Sequence, residues 1–229
     1  DNFASIVNAV EEGRTIYDNI RKFVHYLLAT NCGEVMLMFG AVLVGWPAPL
    51  VAIQILWINL VTDALPAMAL GVERAEPDVM RRPPRPPQER VITRRGALTI
   101  LWHGCLNAAA AAVAFYAVYQ GEERNVPEAR TAAFITLALT QLMFSFGCRS
   151  FRYTLPQLGL FTNGWLIVAI IVSAMLQLTV VGIPFLQPFF KVAPVSSAWQ
   201  WGLIAVLALT PVTVVEVTKL LQIRSPRTA

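Results

Sequence analysis

Hydrophobic residues of this chain fall into six long stretches that are separated by shorter polar segments. The stretches cover about residues 23–45, 50–70, 97–119, 131–147, 165–186 and 199–221. A helix needs roughly 20 mostly apolar residues to cross the hydrocarbon core of a bilayer. The pattern therefore predicts an all-α membrane protein, built as a bundle of six transmembrane helices.

A helical pattern also precedes the first stretch, and neither a proline nor a turn signal separates the two. Apolar side chains recur there at spacings near three and four, at Phe3, Ile6, Val7, Val10, Tyr17 and Ile20. We predict one continuous helix of about 40 residues and about 60 Å, capped by Asp1 or Asn2, whose residues 1–22 form a cytosolic stalk. The alternative is an amphipathic helix that lies on the membrane and then bends into it.

Composition and charge agree with a membrane protein and indicate its orientation. The chain is 56% hydrophobic and only 14% charged, with a mean hydropathy of +0.56, which excludes an ordinary soluble domain. Fifteen of its 18 Lys and Arg residues fall on the side of the predicted spans that holds both termini. Because cytoplasmic loops carry excess Lys and Arg, we expect both termini to be cytosolic. The net charge of +4 then reflects contact with lipid headgroups rather than nucleic acid.

Two connections between the spans have distinctive compositions. Residues 45–49, Gly-Trp-Pro-Ala-Pro, predict a tight external turn that makes an antiparallel hairpin of the first two spans. The cytosolic loop at residues 71–95 is rich in Pro and Arg, which favours extended, irregular backbone. We expect that loop to dock on a cytosolic domain, to set topology through its positive charge, or to do both.

Carboxylate and amide side chains lie in the middle of the first two spans. Asn31 and Glu34 are three residues apart, and Asn59, Thr62 and Asp63 share one face of the second span. Acids inside a bilayer are costly and usually mark ion or proton pathways. These five side chains offer up to seven oxygens and two negative charges, and calcium prefers about six to eight oxygen ligands. They predict a cation site.

The neighbourhood of these polar residues bears on the cation site in two ways. Pro66 removes a backbone hydrogen bond and can free a carbonyl oxygen close to Asp63. No Lys or Arg lies within the first four spans to neutralise the acids. The alternative is that the amides and the hydroxyl join helices by hydrogen bonds, with Glu34 protonated and Asp63 paired to a donor.

Small residues in the third span, and one histidine in each of the first and third spans, suggest packing between helices. Gly104, Ala108 and Ala112 form a stripe at intervals of four, which suits close helix contact. We interpret His103 and His25 as hydrogen-bonded packing residues; the alternative is that they relay protons.

Several motifs of the chain resemble those of calcium-transporting P-type ATPases. They are Asp1-Asn2-Phe3, Val10-Glu11-Glu12-Gly13-Arg14, Asn31 to Glu34, Trp57 to Ala67, and Arg82-Pro83-Pro84-Arg85. The resemblance covers essentially the whole chain. It implies that residues 1–22 are a stalk after a phosphorylation domain, that residues 23–221 are pump helices five to ten, and that residues 222–229 are a cytosolic tail.

The resemblance also implies a ligand set for calcium as the transported ion. Asn31 and Glu34 would be ligands from the fifth pump helix, and Asn59, Thr62 and Asp63 ligands from the sixth. Gln141 occupies the ligand position of the eighth helix, where many relatives have Glu or Asp. Gln141 weakens one of the two family sites, which favours one calcium per cycle, whereas Glu34 and Thr62 keep a second site open. Asn59 favours calcium over the cations of sodium/potassium pumps.

The catalytic motifs of the family are missing from these residues. There is no Asp-Lys-Thr-Gly-Thr, Thr-Gly-Glu or Gly-Asp-Gly motif, so this chain alone should not hydrolyse ATP. ATP and magnesium would bind only in cytosolic domains outside it. A first residue of Asp, without a signal peptide, leads us to expect the C-terminal part of a longer protein, with the phosphorylation domain and the first four membrane helices as partners.

The expected activity is ATP-driven calcium export by alternating access, with protons carried back on Glu34 and Asp63. We expect the plasma membrane of a bacterium, because the loops are short and no organelle retention signal ends the chain. Two alternatives remain open at this point. One is a P-type pump for sodium or manganese, and the other is a free-standing channel-like or regulatory membrane protein without ATPase activity.

Overall fold

The computed structural model describes residues 3–86, 90–195 and 197–224, with side chains described as far as residue 221. The described residues form helices and connecting turns, without strands. The helices are α1 (Phe3–Leu43), α2 (Ala52–Trp57), a π-helical turn (Ile58–Asp63), α3 (Ala64–Gly71), α4 (Arg94–Tyr119), a 3₁₀ turn (Glu123–Asn125), α5 (Val126–Gly147), α6 (Leu155–Leu158), α7 (Gly164–Gly182), α8 (Gln187–Phe190) and α9 (Ala198–Arg224).

Six of these segments are long and apolar enough to cross a membrane. They are Phe3–Leu43, Ala52–Gly71, Arg94–Tyr119, Glu123–Gly147, Gly164–Gly182 and Ala198–Leu221. The prediction of an all-α, six-helix transmembrane protein is confirmed. The fifth span ends at Gly182, four residues earlier than the apolar pattern suggests, because Pro184 cannot continue the helix.

The first helix is uninterrupted. α1 runs for 41 residues, so it is about 60 Å long and continues well beyond the thickness of a bilayer. The predicted cap at Asp1 or Asn2 lies outside the described residues. A single rigid helix therefore carries both the predicted stalk and the buried acid Glu34.

α1 and α4 approach each other closely where each has a glycine. A Cβ atom added to Gly33 would lie 3.1 Å from both the Asn107 Cβ and the Gly104 carbonyl oxygen. One added to Gly104 would lie 3.0 Å from the Cys32 Cβ. The structural interpretation of the small-residue stripe is confirmed, and the contact fixes the helix turn that carries Glu34.

The fourth span lies at the centre of the bundle. Most of α5 is buried, including Phe134, Leu137, Ala138, Gln141, Leu142 and Phe144, and its neighbours are α4, α7 and α9. Such burial places a polar side chain of α5 in a region without bulk water. Gln141 has an exposed fraction of 0%.

The two histidines pack against each other between α1 and α4. Nε2 of His25 lies 2.9 Å from Nδ1 of His103, and the His103 ring makes an edge contact with Phe144. Both side chains are buried. The contact and the burial agree with the packing interpretation, and the relay of protons stays an alternative.

The connection between the second and third spans, which is predicted to be cytosolic, is irregular, as its composition predicts. No helix is assigned from Val72 to Pro86 or from Arg90 to Thr93, and residues 87–89 of the predicted 71–95 loop lie outside the described part. At the other end of the chain, α9 continues to Arg224. The remainder of the predicted tail, residues 225–229, is also outside the described part.

Candidate cation site

Glu34 is the side chain that joins three spans. Its Oε2 accepts a hydrogen bond of 2.7 Å from Nδ2 of Asn59 on the second span. Its Oε1 accepts one of 3.3 Å from Nε2 of Gln141 on α5. Glu34 has an exposed fraction of only 4%. The structure thus brings together three of the predicted ligands through direct contacts.

Asp63 and Thr62 lie on the π turn, and both side chains have an exposed fraction of 0%. Oδ1 of Asp63 accepts a hydrogen bond of 3.2 Å from the Tyr26 hydroxyl, whereas Oδ2 has no hydrogen-bond partner. The Thr62 hydroxyl donates to the Ile58 carbonyl oxygen at 2.8 Å. Glu34 and Asp63 are thus both buried, on neighbouring spans.

Asn31 stands apart from the other predicted ligands. Its side chain is exposed, and Nδ2 donates to the Leu27 carbonyl oxygen on its own helix at 2.7 Å. No hydrogen bond joins it to the other five candidates within the described residues. Asn31 and Glu34 therefore do not share a contact in this structure. The Asn31 amide bonds instead to the backbone carbonyl four residues earlier on the same helix.

The π turn explains how the second span presents three ligands. Asn59, Thr62 and Asp63 all fall within Ile58–Asp63, where the helix widens to hydrogen bonds five residues apart. Single π turns inside α-helices occur often at functional sites. The sequence predicts that Pro66 disturbs the helix near Asp63, and the structure has a widened turn at that place rather than a break.

Other buried polar side chains lie on the spans around this site, and sequence analysis did not select them. Oε1 of Gln177 accepts a hydrogen bond of 3.0 Å from Nε1 of Trp57. Asn107 has an exposed fraction of 0%, and neither atom of its amide has a partner. Isolated polar residues in apolar spans are the signal that could have identified them.

The donor set suits a hard cation more than a metal that prefers thiolate or imidazole ligands. Among the described residues, no three His, Cys, Asp or Glu side chains come together as a metal cluster. The two acids are instead accompanied by amides and a hydroxyl, and oxygen ligands of this kind are preferred by calcium, sodium and manganese. The amides of Asn59 and Gln141 now present nitrogen to Glu34, and rotating each amide would present its oxygen to a cation.

On the predicted cytosolic side, the loop after α3 is bound along the part of α1 that is predicted to be a stalk. We call this contact the loop clasp. Two hydrogen bonds join α1 to the loop, from Arg14 to the Val79 carbonyl oxygen (2.9 Å) and from Asn19 to the Glu73 carbonyl oxygen (2.7 Å). Two ion pairs do the same, between Arg82 and Asp18 (2.7 Å) and between Lys22 and Glu76 (3.6 Å). Within the loop, Arg82 also pairs with Glu76 and Asp78. Arg82 also lowers the pKa of the Asp78 carboxyl to about 2.

A buried ion pair ties this region to the ends of the fourth and fifth spans. Nε and Nη2 of Arg149 donate to the two carboxylate oxygens of Glu73, each at 2.9 Å. Asn163 donates to the same carboxylate at 2.8 Å. Arg149 has an exposed fraction of 1%, so the pair is held in a region of low dielectric where geometry must be good.

These features define a multi-pass membrane protein with an oxygen-rich site buried between its spans. Residues 47–221 match the sequence profile of the family described as cation transporting ATPase, C-terminus. That match covers well over half of the chain. The chain therefore belongs to the cation-transporting ATPase family.

The relatives of this chain include pumps named for calcium. It is 46% identical over 211 residues to a calcium-transporting ATPase of Bacillus subtilis (strain 168), an alignment that covers 92% of this chain and 24% of that protein. It is 39% identical over 222 residues to calcium-transporting ATPase 1 of Lactococcus lactis, covering 96% of this chain and 24% of that protein. It is 32% identical over 250 residues to the endoplasmic reticulum calcium ATPase srcA of Aspergillus fumigatus, covering 96% and 26%. The chain spans about a quarter of the length of these relatives.

Proposed function

We propose that this chain is the cation-binding membrane portion of an ATP-driven P-type calcium pump. The observation that carries the proposal is the position of Glu34, which is hydrogen-bonded to Asn59 and Gln141 from two other spans. The calcium-transporting ATPases among its relatives support calcium as the ion. In this proposal residues 1–22 are the stalk, residues 23–221 are pump helices five to ten, and residues 222–229 are a cytosolic tail.

The proposed ligands are the two buried acids together with neutral oxygens. Glu34 and Asp63 supply charge, and Thr62 supplies a hydroxyl oxygen whose hydrogen is already used within its helix. Asn59 and Gln141 supply amide oxygens once their amides turn. Asn31 joins by leaving the Leu27 carbonyl oxygen, to which it now donates.

Release of the cation has a physical consequence for the two acids. No Lys or Arg lies in the apolar stretches 23–45, 50–70, 97–119 and 131–147 to balance them, and uncompensated charge inside a bilayer is costly. Protonation of Glu34 and Asp63 restores neutrality, while the hydrogen bonds from Asn59, Gln141 and Tyr26 keep the empty site in shape. Proton countertransport follows from this arrangement.

Coupling to ATP would run through α1. The phosphorylation domain would precede the stalk, and ATP and magnesium would bind only in cytosolic domains outside this chain. Movement of that domain tilts a helix that is continuous from Phe3 to Leu43 and carries Glu34. The loop clasp gives the second span the same motion, because the clasp begins at Glu73, two residues after α3 ends.

The proposed setting is the plasma membrane of a bacterium with both termini in the cytosol. The excess of Lys and Arg on the terminal side supports that orientation. The Bacillus and Lactococcus relatives support a bacterial source. Anionic lipid headgroups would be the partners of the basic loops.

The test uses the complete protein encoded by the gene, reconstituted in sealed vesicles. Reading the gene upstream of Asp1 should reveal a phosphorylation motif and four further spans. ATP should then drive uptake of radioactive calcium, Asp63→Asn should abolish that uptake, and Glu128→Gln on the exposed external side should not. Calcium flux without ATP indicates a channel instead, and ATP-driven uptake of sodium or manganese alone indicates a different pump.

A further inference from the structure

Pro66 leaves one backbone carbonyl group of the second span without its expected N–H partner. In an α-helix the Thr62 carbonyl would accept from the N–H of residue 66, and in π spacing the Val61 carbonyl would do so. Residue 66 is proline, which has no N–H. Val61 lies inside the π turn. A buried carbonyl left unpaired there would cost as much as a lost hydrogen bond.

Ser173 on α7 supplies a donor to that carbonyl. Its Oγ lies 3.1 Å from the Val61 carbonyl oxygen, and its side chain has an exposed fraction of 0%. The bond joins the fifth span to the second span at the level of Thr62 and Asp63. It gives the Val61 carbonyl, five residues before Pro66, a donor from another helix.

This choice of acceptor differs from that of most hydroxyl side chains in the described residues. Ser145, Thr179 and Thr210 each donate to a carbonyl three or four residues earlier on their own helix, which is the usual solution for Ser and Thr in helices. Ser173 instead bonds across to another helix. The Ser173 hydroxyl could have bonded within α7 as the others do, so its bond to Val61 indicates a specific role in the contact between the two helices.

Two further hydrogen bonds place Ser173 in a series along the second span. Gln177 accepts from Trp57 before the π turn, Ser173 donates to Val61 within it, and Asn163 donates to the Ala69 carbonyl at 3.1 Å after it. The order of contacts is that of two antiparallel helices. α7 therefore holds the widened span on both sides of the defect.

We propose that Ser173 is a positioning residue of the cation site, which stabilises the π turn by replacing the missing N–H of Pro66 and so orients Thr62 and Asp63. It does not itself contact the cation. The inference rests on the proposed function. It gives the fifth span, which contributes none of the candidate ligands, a defined part in cation binding.

The test is a double-mutant cycle between residues 173 and 66 in the complete pump. Calcium dependence of phosphorylation by ATP is measured for wild type, Ser173→Ala, Pro66→Ala and the double variant. Ser173→Ala should weaken apparent calcium affinity by about threefold to tenfold, as expected for a carbonyl left with no partner. In the Pro66→Ala background an N–H is restored, so Ser173→Ala should change the affinity by less than about twofold.

Two more variants separate positioning from packing. Ser173→Thr retains a hydroxyl and should bind calcium as wild type does. Ser145→Ala removes an equally buried hydroxyl that bonds only within α5, and it should leave the affinity unchanged. An equal loss in both backgrounds, or no loss in either, overturns the proposal.

A wild-type protein without calcium-stimulated phosphorylation contradicts the proposed function rather than the hydrogen bond. Thermal unfolding of the same four proteins then tests the bond alone. Ser173→Ala should lower the Tm more with proline at position 66 than with alanine. Equal shifts in the two backgrounds show that Ser173 does not replace the N–H.

Discussion

Glu34 and Asn59 are joined by a hydrogen bond of 2.7 Å between Oε2 and Nδ2, which connects the first span to the π turn of the second. Gln141 donates to the other carboxylate oxygen at 3.3 Å. The acid is thus held by two amides from different helices. In the proposed pump, the amides of Asn59 and Gln141 donate to Glu34 when the site is empty and turn their oxygens to the cation when it is filled.

The residue at position 141 should set the number of calcium ions carried. Gln141 adds an oxygen without charge, whereas Glu would add a third carboxylate within reach of Glu34. We expect wild type to bind about one calcium per phosphoenzyme and Gln141→Glu to bind about two, because calcium affinity rises with ligand charge. Radioactive calcium bound per phosphorylated site measures this.

Gln141→Leu is the matched control for that prediction. It has a similar volume but no oxygen, and it should weaken calcium affinity without raising the stoichiometry. A wild-type value of two calcium ions would show that the neutral amide is sufficient at this position.

The close contact between α1 and α4 predicts that position 33 tolerates no side chain. Gly33→Ala places a methyl group 3.1 Å from the Asn107 Cβ, and overpacking of this kind costs about 1–3 kcal/mol. It should lower the Tm and weaken calcium affinity, since Glu34 follows directly. Gly13→Ala on the same helix meets nothing within 4 Å and should be neutral or slightly stabilising. Equal effects of the two changes would contradict the packing described.

Local sequence was sufficient to predict the spans and the two acids. Six apolar stretches have few alternatives in a bilayer, because backbone polar groups there must be satisfied within helices. Glu34 and Asp63 stand out for the same reason, since acids in such stretches are rare. The irregular loop after Gly71 likewise follows from its own prolines.

Contacts between distant parts of the chain could not be predicted in the same way. Tyr26 reaches Asp63, and Ser173 reaches Val61, only because particular helix faces meet. The bond from Asn31 to Leu27 depends on which side of α1 is covered. Pro66 predicts a disturbed helix, but the sequence of its own span does not decide whether the helix breaks or forms a π turn. In our proposal the outcome depends on the Ser173 hydroxyl of the fifth span.

The buried pair between Arg149 and Glu73 should be important for stability. Removing one partner of a buried ion pair costs about 3–5 kcal/mol because the other charge is left unpaired. Glu73→Gln should therefore lower the Tm of the purified protein strongly. Arg124→Ala, whose guanidinium is exposed and paired to Glu122, should change the Tm little. A mild effect of Glu73→Gln would show that water reaches Arg149.

The loop clasp should matter for coupling more than for calcium binding. Arg82 contacts Asp18 on α1 and Glu76 and Asp78 in the loop, so Arg82→Ala removes an ion pair between the loop and α1 and weakens the connection of the second span to α1. We expect ATP-driven calcium uptake to fall at least about tenfold while equilibrium calcium binding stays within about twofold. Arg152→Ala removes an exposed contact to Asp78 and serves as the control. Parallel loss of uptake and binding would mean that the clasp shapes the site itself.

The central claim is that Glu34 and Asp63 hold the transported cation. Equilibrium binding of radioactive calcium to the complete, purified protein tests it most directly, with Glu34→Gln and Asp63→Asn compared with wild type and with Glu128→Gln. The account predicts saturable binding to wild type and Glu128→Gln, and its loss in both site variants while their thermal unfolding stays cooperative. Calcium binding of wild-type affinity and stoichiometry in both site variants would contradict it.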